Sequence, residues 1–168
     1  MTYEIIPQVG FGPIKFGMSP QDVHKILGEP SEVTKIIGPY ETDLDEIKFN
    51  GGLHFEWHGE DPFDEKFPQI TYNNNNVIMI SVSKPFGPLI YKSMDLHKAK
   101  KRQEFLEALA KDEDIYYYDE EAYFFPKSGL RVPIKKYTRK YPYVTLILTS
   151  HIMPRLDFDM YEPSTDLD

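Results

Sequence analysis

Gly17-Met18-Ser19-Pro20-Gln21-Asp22-Val23-His24-Lys25-Ile26-Leu27-Gly28-Glu29-Pro30 reads as one short helix with both of its ends marked. Ser19 can accept a hydrogen bond from the first helical turn. Pro20 stands at the first helical position, where a missing N–H costs nothing, and Asp22 lies near the positive end of the helix dipole. Gly28 supplies a left-handed stop and Pro30 prevents continuation. Val23, Ile26 and Leu27 recur at i, i+3 and i+4, which predicts a single apolar stripe turned toward a core.

Downstream of this helix lies an acidic linker, Glu41 to Glu46, and then a stretch from Ile47 to His58 in which Leu53, Phe55 and Trp57 alternate with His54, Glu56 and His58. Alternation of period two predicts a strand with one buried face. Gly59 to Pro68 reads as a loop, Gln69 to Tyr72 as a strand edge and Asn73 to Asn76 as a hairpin turn, since asparagine tolerates positive φ. Val77 to Ser83, rich in β-branched residues, reads as a further strand.

Pro85 to Pro88 breaks the chain, and the remainder repeats the first part in outline. Met94 and Asp95 are expected to open a helix running to about Lys111, with Leu96, Ala99, Phe105, Leu106 and Leu109 inward. Tyr116 to Tyr118 and Ala122 to Phe125 have strand composition. Lys127 to Ile134 echoes Asn50 to Trp57, and Tyr143 to Ser150 echoes Val77 to Ser83. Gly52-Leu53 and Gly129-Leu130 are 77 residues apart, and Met18 and Met94 are 76 apart. This predicts two copies of a helix-then-strands unit, residues 1–84 and 85–153, followed by an acidic, fraying tail at 154–168.

The chain has 168 residues, no cysteine, 40% hydrophobic and 14% aromatic content. It can bury a core, and disulfide frameworks, thiolate metal sites and thiol nucleophiles are excluded. No segment has the length of a signal peptide's apolar core or of a membrane span, so a cytoplasmic protein without a membrane partner is expected. The net charge is −8, and it is unequally shared: Met1 to Lys84 holds 6 basic and 13 acidic residues, Pro85 to Asp168 holds 13 and 14. A field of this sign repels nucleic acid and steers cationic partners inward.

The run Gly12-Pro13-Ile14-Lys15-Phe16-Gly17-Met18-Ser19, followed by Val23, Ile26-Leu27-Gly28 and Pro30, resembles the helical opening of β-lactamase inhibitor protein-like domains and of small outer-membrane assembly lipoproteins. The resemblance covers about 20 residues. It implies an α+β fold: two tandem helix-plus-antiparallel-strand units forming one extended, curved antiparallel sheet with helices on one face. Cytoplasmic bacterial relatives of that architecture look like immunity proteins of toxin systems such as contact-dependent growth inhibition. The resemblance therefore implies a heterodimer with a basic toxin, plausibly a nuclease domain.

Three groups of residues bear on chemistry. His54, Glu56 and His58 share one face of a strand at i, i+2 and i+4, a set that zinc could take; the solvent face of any half-buried strand needs the same alternation, and no metal or cofactor is assigned. Asp112, Glu113, Asp114, Tyr116, Tyr117, Tyr118, Asp119, Glu120 and Glu121 interleave six carboxylates with three tyrosines. Tyrosine gives rigid contact area with a polar tip, and carboxylates pair with guanidinium groups, so this stretch is the leading surface for a lysine- and arginine-rich partner. The bland alternative is a turn with solvated acids, period two sending Tyr116 and Tyr118 one way and Tyr117 the other. A second acidic stretch, Glu56, Glu60, Asp61, Asp64 and Glu65, flanks Trp57, Phe63 and Phe67, and Glu56, Trp57, Glu60, Asp61 and Phe63 from it join the partner-binding set. No nucleophile elbow or phosphate loop is present, so a non-catalytic binding protein is expected, the alternative being a peptide or small-molecule binding module using the concave sheet.

Overall fold

The computed structural model describes residues 3–36, 39–41, 46–48, 51–61, 65–83, 88–95, 111, 115–118, 122–125, 127–133 and 145–148. The helix α1 spans Pro20–Leu27. Ser19 Oγ accepts from the Asp22 N–H at 3.1 Å, and the Asp22 carboxylate accepts from the Ser19 N–H at 3.1 Å, a reciprocal capping box. The Gly28 N–H closes the far end on the His24 carbonyl at 2.8 Å, with φ at 83°. Pro20, Val23 and Leu27 are buried, whereas Ile26 is 39% exposed. The buried stripe is thus narrower than i, i+3, i+4 predicts, with Val23 and Leu27 inward and Ile26 at its margin.

Most of the remaining described chain is strand. β1 (Ile5–Ile6), β2 (Gly10–Phe11) and β3 (Ile14–Lys15) form a small antiparallel sheet. β4 (Glu32–Ile36) precedes the two-stranded pair β5 (Pro39–Glu41) and β6 (Glu46–Lys48). β7 (Gly52–Glu56), β8 (Gln69–Asn73) and β9 (Asn76–Val82) follow, then the pair β10 (Ile90–Tyr91) and β11 (Met94–Asp95). The last strands are β12 (Tyr116–Tyr118), β13 (Ala122–Phe125), β14 (Leu130–Pro133) and β15 (Thr145–Leu148).

Eight of these strands lie in one antiparallel sheet in the order β12-β13-β14-β15-β9-β8-β7-β4. Its centre is the pairing of β9 with β15, where Ile80 stands opposite Ile147. Phe55, Ile70, Ile80, Leu130 and Phe125 share one register level and are all buried, each stabilising the fold by roughly 1.5–3 kcal/mol. The turn between β8 and β9 is made by Asn74 and Asn75, both at positive φ, as the asparagine run predicts. A register shift after Thr71 lets this two-residue turn close while keeping Tyr72 and Val77 in the core.

The apolar face of the sheet is covered by α1 and by β1 to β3, whose Ile5, Phe11 and Ile14 belong to the same buried cluster as Phe55, Ile70 and Leu130. The Gly17 N–H donates to the Val77 carbonyl at 3.0 Å and the Val77 N–H to the Met18 carbonyl at 2.9 Å, which pins the start of α1 to β9. Tyr91 Oη meets Ser128 Oγ at 2.9 Å in the interior, and Gln8 Nε2 donates to the Lys127 carbonyl at 3.2 Å. The beginning of the chain is thereby joined to the turn before β14.

The α+β expectation of two helix-plus-strand units with helices on one face is not what is found. The described residues are mainly β, with four sheets and a single helix of eight residues. Part of the reason is at Met94 and Asp95, expected to open a helix. Lys92 and Ser93 both take positive φ, 49° and 65°, and this tight turn folds Met94 back onto Tyr91 as β11. The Asp95 side chain accepts from the Leu89 N–H at 3.2 Å and so caps a hairpin. Leu96 to Ala110 lie outside the described residues, as does the tail at 154–168. The other part of the reason is β1 to β3, strands of two residues each, too short for any periodicity to register.

Candidate functional site

One face of the sheet carries the half-buried Gln69 and the buried Thr71 on β8, which alternate with Ile70 and Tyr72 of the core. Opposite them stands His54 on β7, in register with Thr71. His54 Nδ1 lies 2.9 Å from Thr71 Oγ1, and His54 Nε2 lies 3.1 Å from Gln69 Oε1. The other end of the Gln69 amide donates to Glu65 Oε1 at 2.9 Å, and Ser83 Oγ donates to Glu65 Oε2. Five side chains from β7, β8, the residue that follows β9 and the segment before β8 thus form one unbroken chain of hydrogen bonds. Burial raises the Glu65 carboxyl above the usual carboxylate range, and the bonds from Ser83 and Gln69 only partly offset this.

A second constellation lies where β4 meets β7. Glu32 and Glu56 stand directly opposite each other in this antiparallel pair. Like charges directly opposite each other cost stability unless a cation stands between them. His58 follows just beyond β7, with its Nδ1 2.7 Å from the Gly59 carbonyl and its Nε2 3.5 Å from Glu32 Oε2. The bond to Gly59 raises the His58 imidazole above its ordinary value; burial opposes this, and Glu32 and Glu56 add to it. Glu60 is exposed and Asp61 half-buried in the segment that follows.

Trp57, expected among the partner contacts, is instead core. It is 4% exposed, donates its Nε1–H to the Gly28 carbonyl at 3.2 Å, and lies edge-on to Phe55 and Phe67 at centroid distances of 5.9 and 6.4 Å. The indole locks the end of α1 to β7, and a ring used in this way has no face left for a partner. Phe63 lies outside the described residues, and so do Asp112, Glu113, Asp114, Asp119, Glu120 and Glu121. Tyr116, Tyr117 and Tyr118 form β12, in register with Phe124, Tyr123 and Ala122. Among the described residues β12 is the outermost strand on one side of the large sheet and β4 on the other.

His54, Glu56 and His58 do not converge on a point. Both His54 nitrogens are engaged by Thr71 and Gln69, while the His58 ring turns to Gly59 and Glu32. Among the described residues no three His, Asp or Glu side chains are placed to hold a metal ion. Gln69, Thr71, Ser83 and Glu32 are polar residues of these two groups that the sequence reading does not single out, whereas Glu65 belongs to its second acidic stretch. Their one local signal is the alternation of Gln69 and Thr71 with Ile70 and Tyr72, which puts both on the face of His54. Among the described residues no helix is long and apolar enough to cross a membrane. Compared with models of protein families, with curated proteins and with solved structures, the chain matches none, so its function has to be argued from this geometry and from its charge.

Proposed function

We propose that this chain is an acidic, non-catalytic immunity protein that binds a cationic toxin domain of nuclease type and occludes its active site. The observation that carries the reading is the location of Tyr116 to Tyr118. They form the outermost strand of the sheet on their side among the described residues, and in the sequence they stand between the acidic runs 112–114 and 119–121. An outermost strand offers backbone donors and acceptors to a partner, tyrosines offer anchoring area, and carboxylates select lysine and arginine. The Glu32 and Glu56 pair at the other edge adds to the negative field. Such a protein substitutes its carboxylates for the phosphates that a nuclease would otherwise bind.

The test is capture from the lysate of the producing organism at low and high salt, followed by expression of the retained protein alone and together with this chain. The expected result is a basic protein, released by salt, that stops growth alone and is silenced by co-expression. Replacing Asp112, Glu113, Asp114, Asp119, Glu120 and Glu121 by their amides should slow association strongly at low salt. A retained partner that is indifferent to salt and harmless alone, or an association rate unchanged by the six amides, overturns the proposal.

A further inference from the structure

His58 is held more firmly than a surface histidine needs to be. Its backbone N–H donates to Ser31 Oγ at 3.1 Å, its carbonyl accepts from the same hydroxyl at 3.0 Å, and the Ser31 N–H donates to the Glu56 carbonyl at 2.8 Å. On its other side it forms an antiparallel bridge with Glu65. His58 therefore sits at a junction of three pieces of chain: the start of β4, the end of β7 and the segment leading to β8.

The ring chemistry is decided by its two nitrogens. A carbonyl oxygen only accepts, so the 2.7 Å contact to Gly59 requires the proton on Nδ1. Nε2 is shut off from solvent and makes no hydrogen bond, and Glu32 Oε2 stands 3.5 Å away. In the neutral ring, Nε2 then presents a bare lone pair to a carboxylate, with no proton between them. In the cationic ring the same atom presents an N–H. The charged groups acting on it are Glu32 from β4, Glu56 from β7 and Glu65 from the segment before β8, and all three are carboxylates.

We propose that His58 is a protonation-controlled clasp, which in its doubly protonated form closes Nε2–H onto Glu32 and holds the start of β4 against β7, and which releases that end of β4 when Nε2 loses its proton. The direction follows from linkage. A histidine that holds its proton more tightly in the folded protein contributes stability that is complete below the ordinary imidazole value and disappears as pH rises through the raised one. Acidification therefore tightens this outermost strand and alkalinisation loosens it. The β4 to β7 ladder from Val33 to Ile36 persists in both states, so the change is confined to the start of β4.

Two readouts on the intact protein test this. Ring ¹⁵N chemical shifts of His58 followed against pH should show titration above the value of free imidazole, with Nδ1 remaining the protonated nitrogen in the neutral ring. Protection factors of the β4 amides that bond to β7, corrected for intrinsic exchange, should fall by roughly two- to fivefold as pH passes that titration. Glu32→Gln keeps the size of the side chain while removing its charge, and should lower the titration and flatten the change in protection. A His58 that titrates at or below the ordinary value overturns the clasp. So does β4 protection indifferent to pH, or a titration that Glu32→Gln leaves unchanged.

Discussion

Gln69 donates its amide Nε2–H to Glu65 Oε1 at 2.9 Å, and this single bond orients the side chains on both sides of it. With its nitrogen committed, Gln69 has only its oxygen to offer His54, so His54 Nε2 carries the proton and Nδ1 accepts from the Thr71 hydroxyl. The polarity of a five-residue chain thus descends from one carboxylate.

His54 is therefore expected as the Nε2–H tautomer in the neutral protein, which ring ¹⁵N shifts report directly. Gln69→Leu leaves a donor on His54 and an acceptor on Glu65 without a partner, and should cost about 1–3 kcal/mol of unfolding free energy. The denaturant midpoint measures it, and a loss within error of zero would contradict the chain of bonds.

Glu65 carries a pH signature of its own. A carboxyl raised by burial binds its proton more tightly folded than unfolded, so its cost to stability is complete above the raised value and is relieved as pH falls toward the ordinary glutamate value of about 4.3. Glu65→Gln keeps an acceptor for Gln69 and an amide for Ser83 Oγ. It should remove that part of the pH dependence, so that the stability difference between wild type and variant narrows from pH 7 to pH 4.5. A difference constant over this range contradicts the assignment.

Tyr72 is fully buried, and its hydroxyl has no hydrogen-bond partner. Burial raises its phenol well above the ordinary range, so it stays neutral at every working pH. Its ring packs edge-on against Phe55 at 4.7 Å, a contact that Tyr72→Phe retains. The variant should therefore be more stable, by about 1–3 kcal/mol, with an unchanged denaturant slope.

Gly10 is placed where no side chain fits. Its φ is 155°, and a Cβ there would run into the carbonyl oxygen of Ile14 on β3, beside its register partner Lys15. Gly10→Ala should displace the sheet that carries Phe11 and Ile14 over the core, costing on the order of 2 kcal/mol or more. Thermal melting checks this, and Ser19→Ala provides a scale, since loss of the cap on α1 should cost about 0.5–2 kcal/mol.

What the sequence by itself determined is local. The cap at Ser19, the stop at Gly28, the alternation through Leu53, Phe55 and Trp57, and the asparagine turn are written in neighbouring residues, because each depends on φ, ψ preferences and on hydrogen bonds spanning a few positions. The acidic balance, and with it the argument for a cationic partner, is legible in the same way.

Tertiary structure alone decided the rest. Two-residue strands such as β1 to β3 have no period to read, and they exist because Phe11 and Ile14 find the sheet beneath them. Trp57 could be a contact or a core residue on alternation alone, and the Gly28 carbonyl, 29 positions away, makes it core. The contacts of His54 with Thr71 and Gln69, of Ser83 with Glu65, and of His58 with Glu32 join residues 15 or more positions apart that only the folded sheet brings within 4 Å. A side chain's neighbours along the sequence set its backbone, whereas its neighbours across the sheet set its protonation.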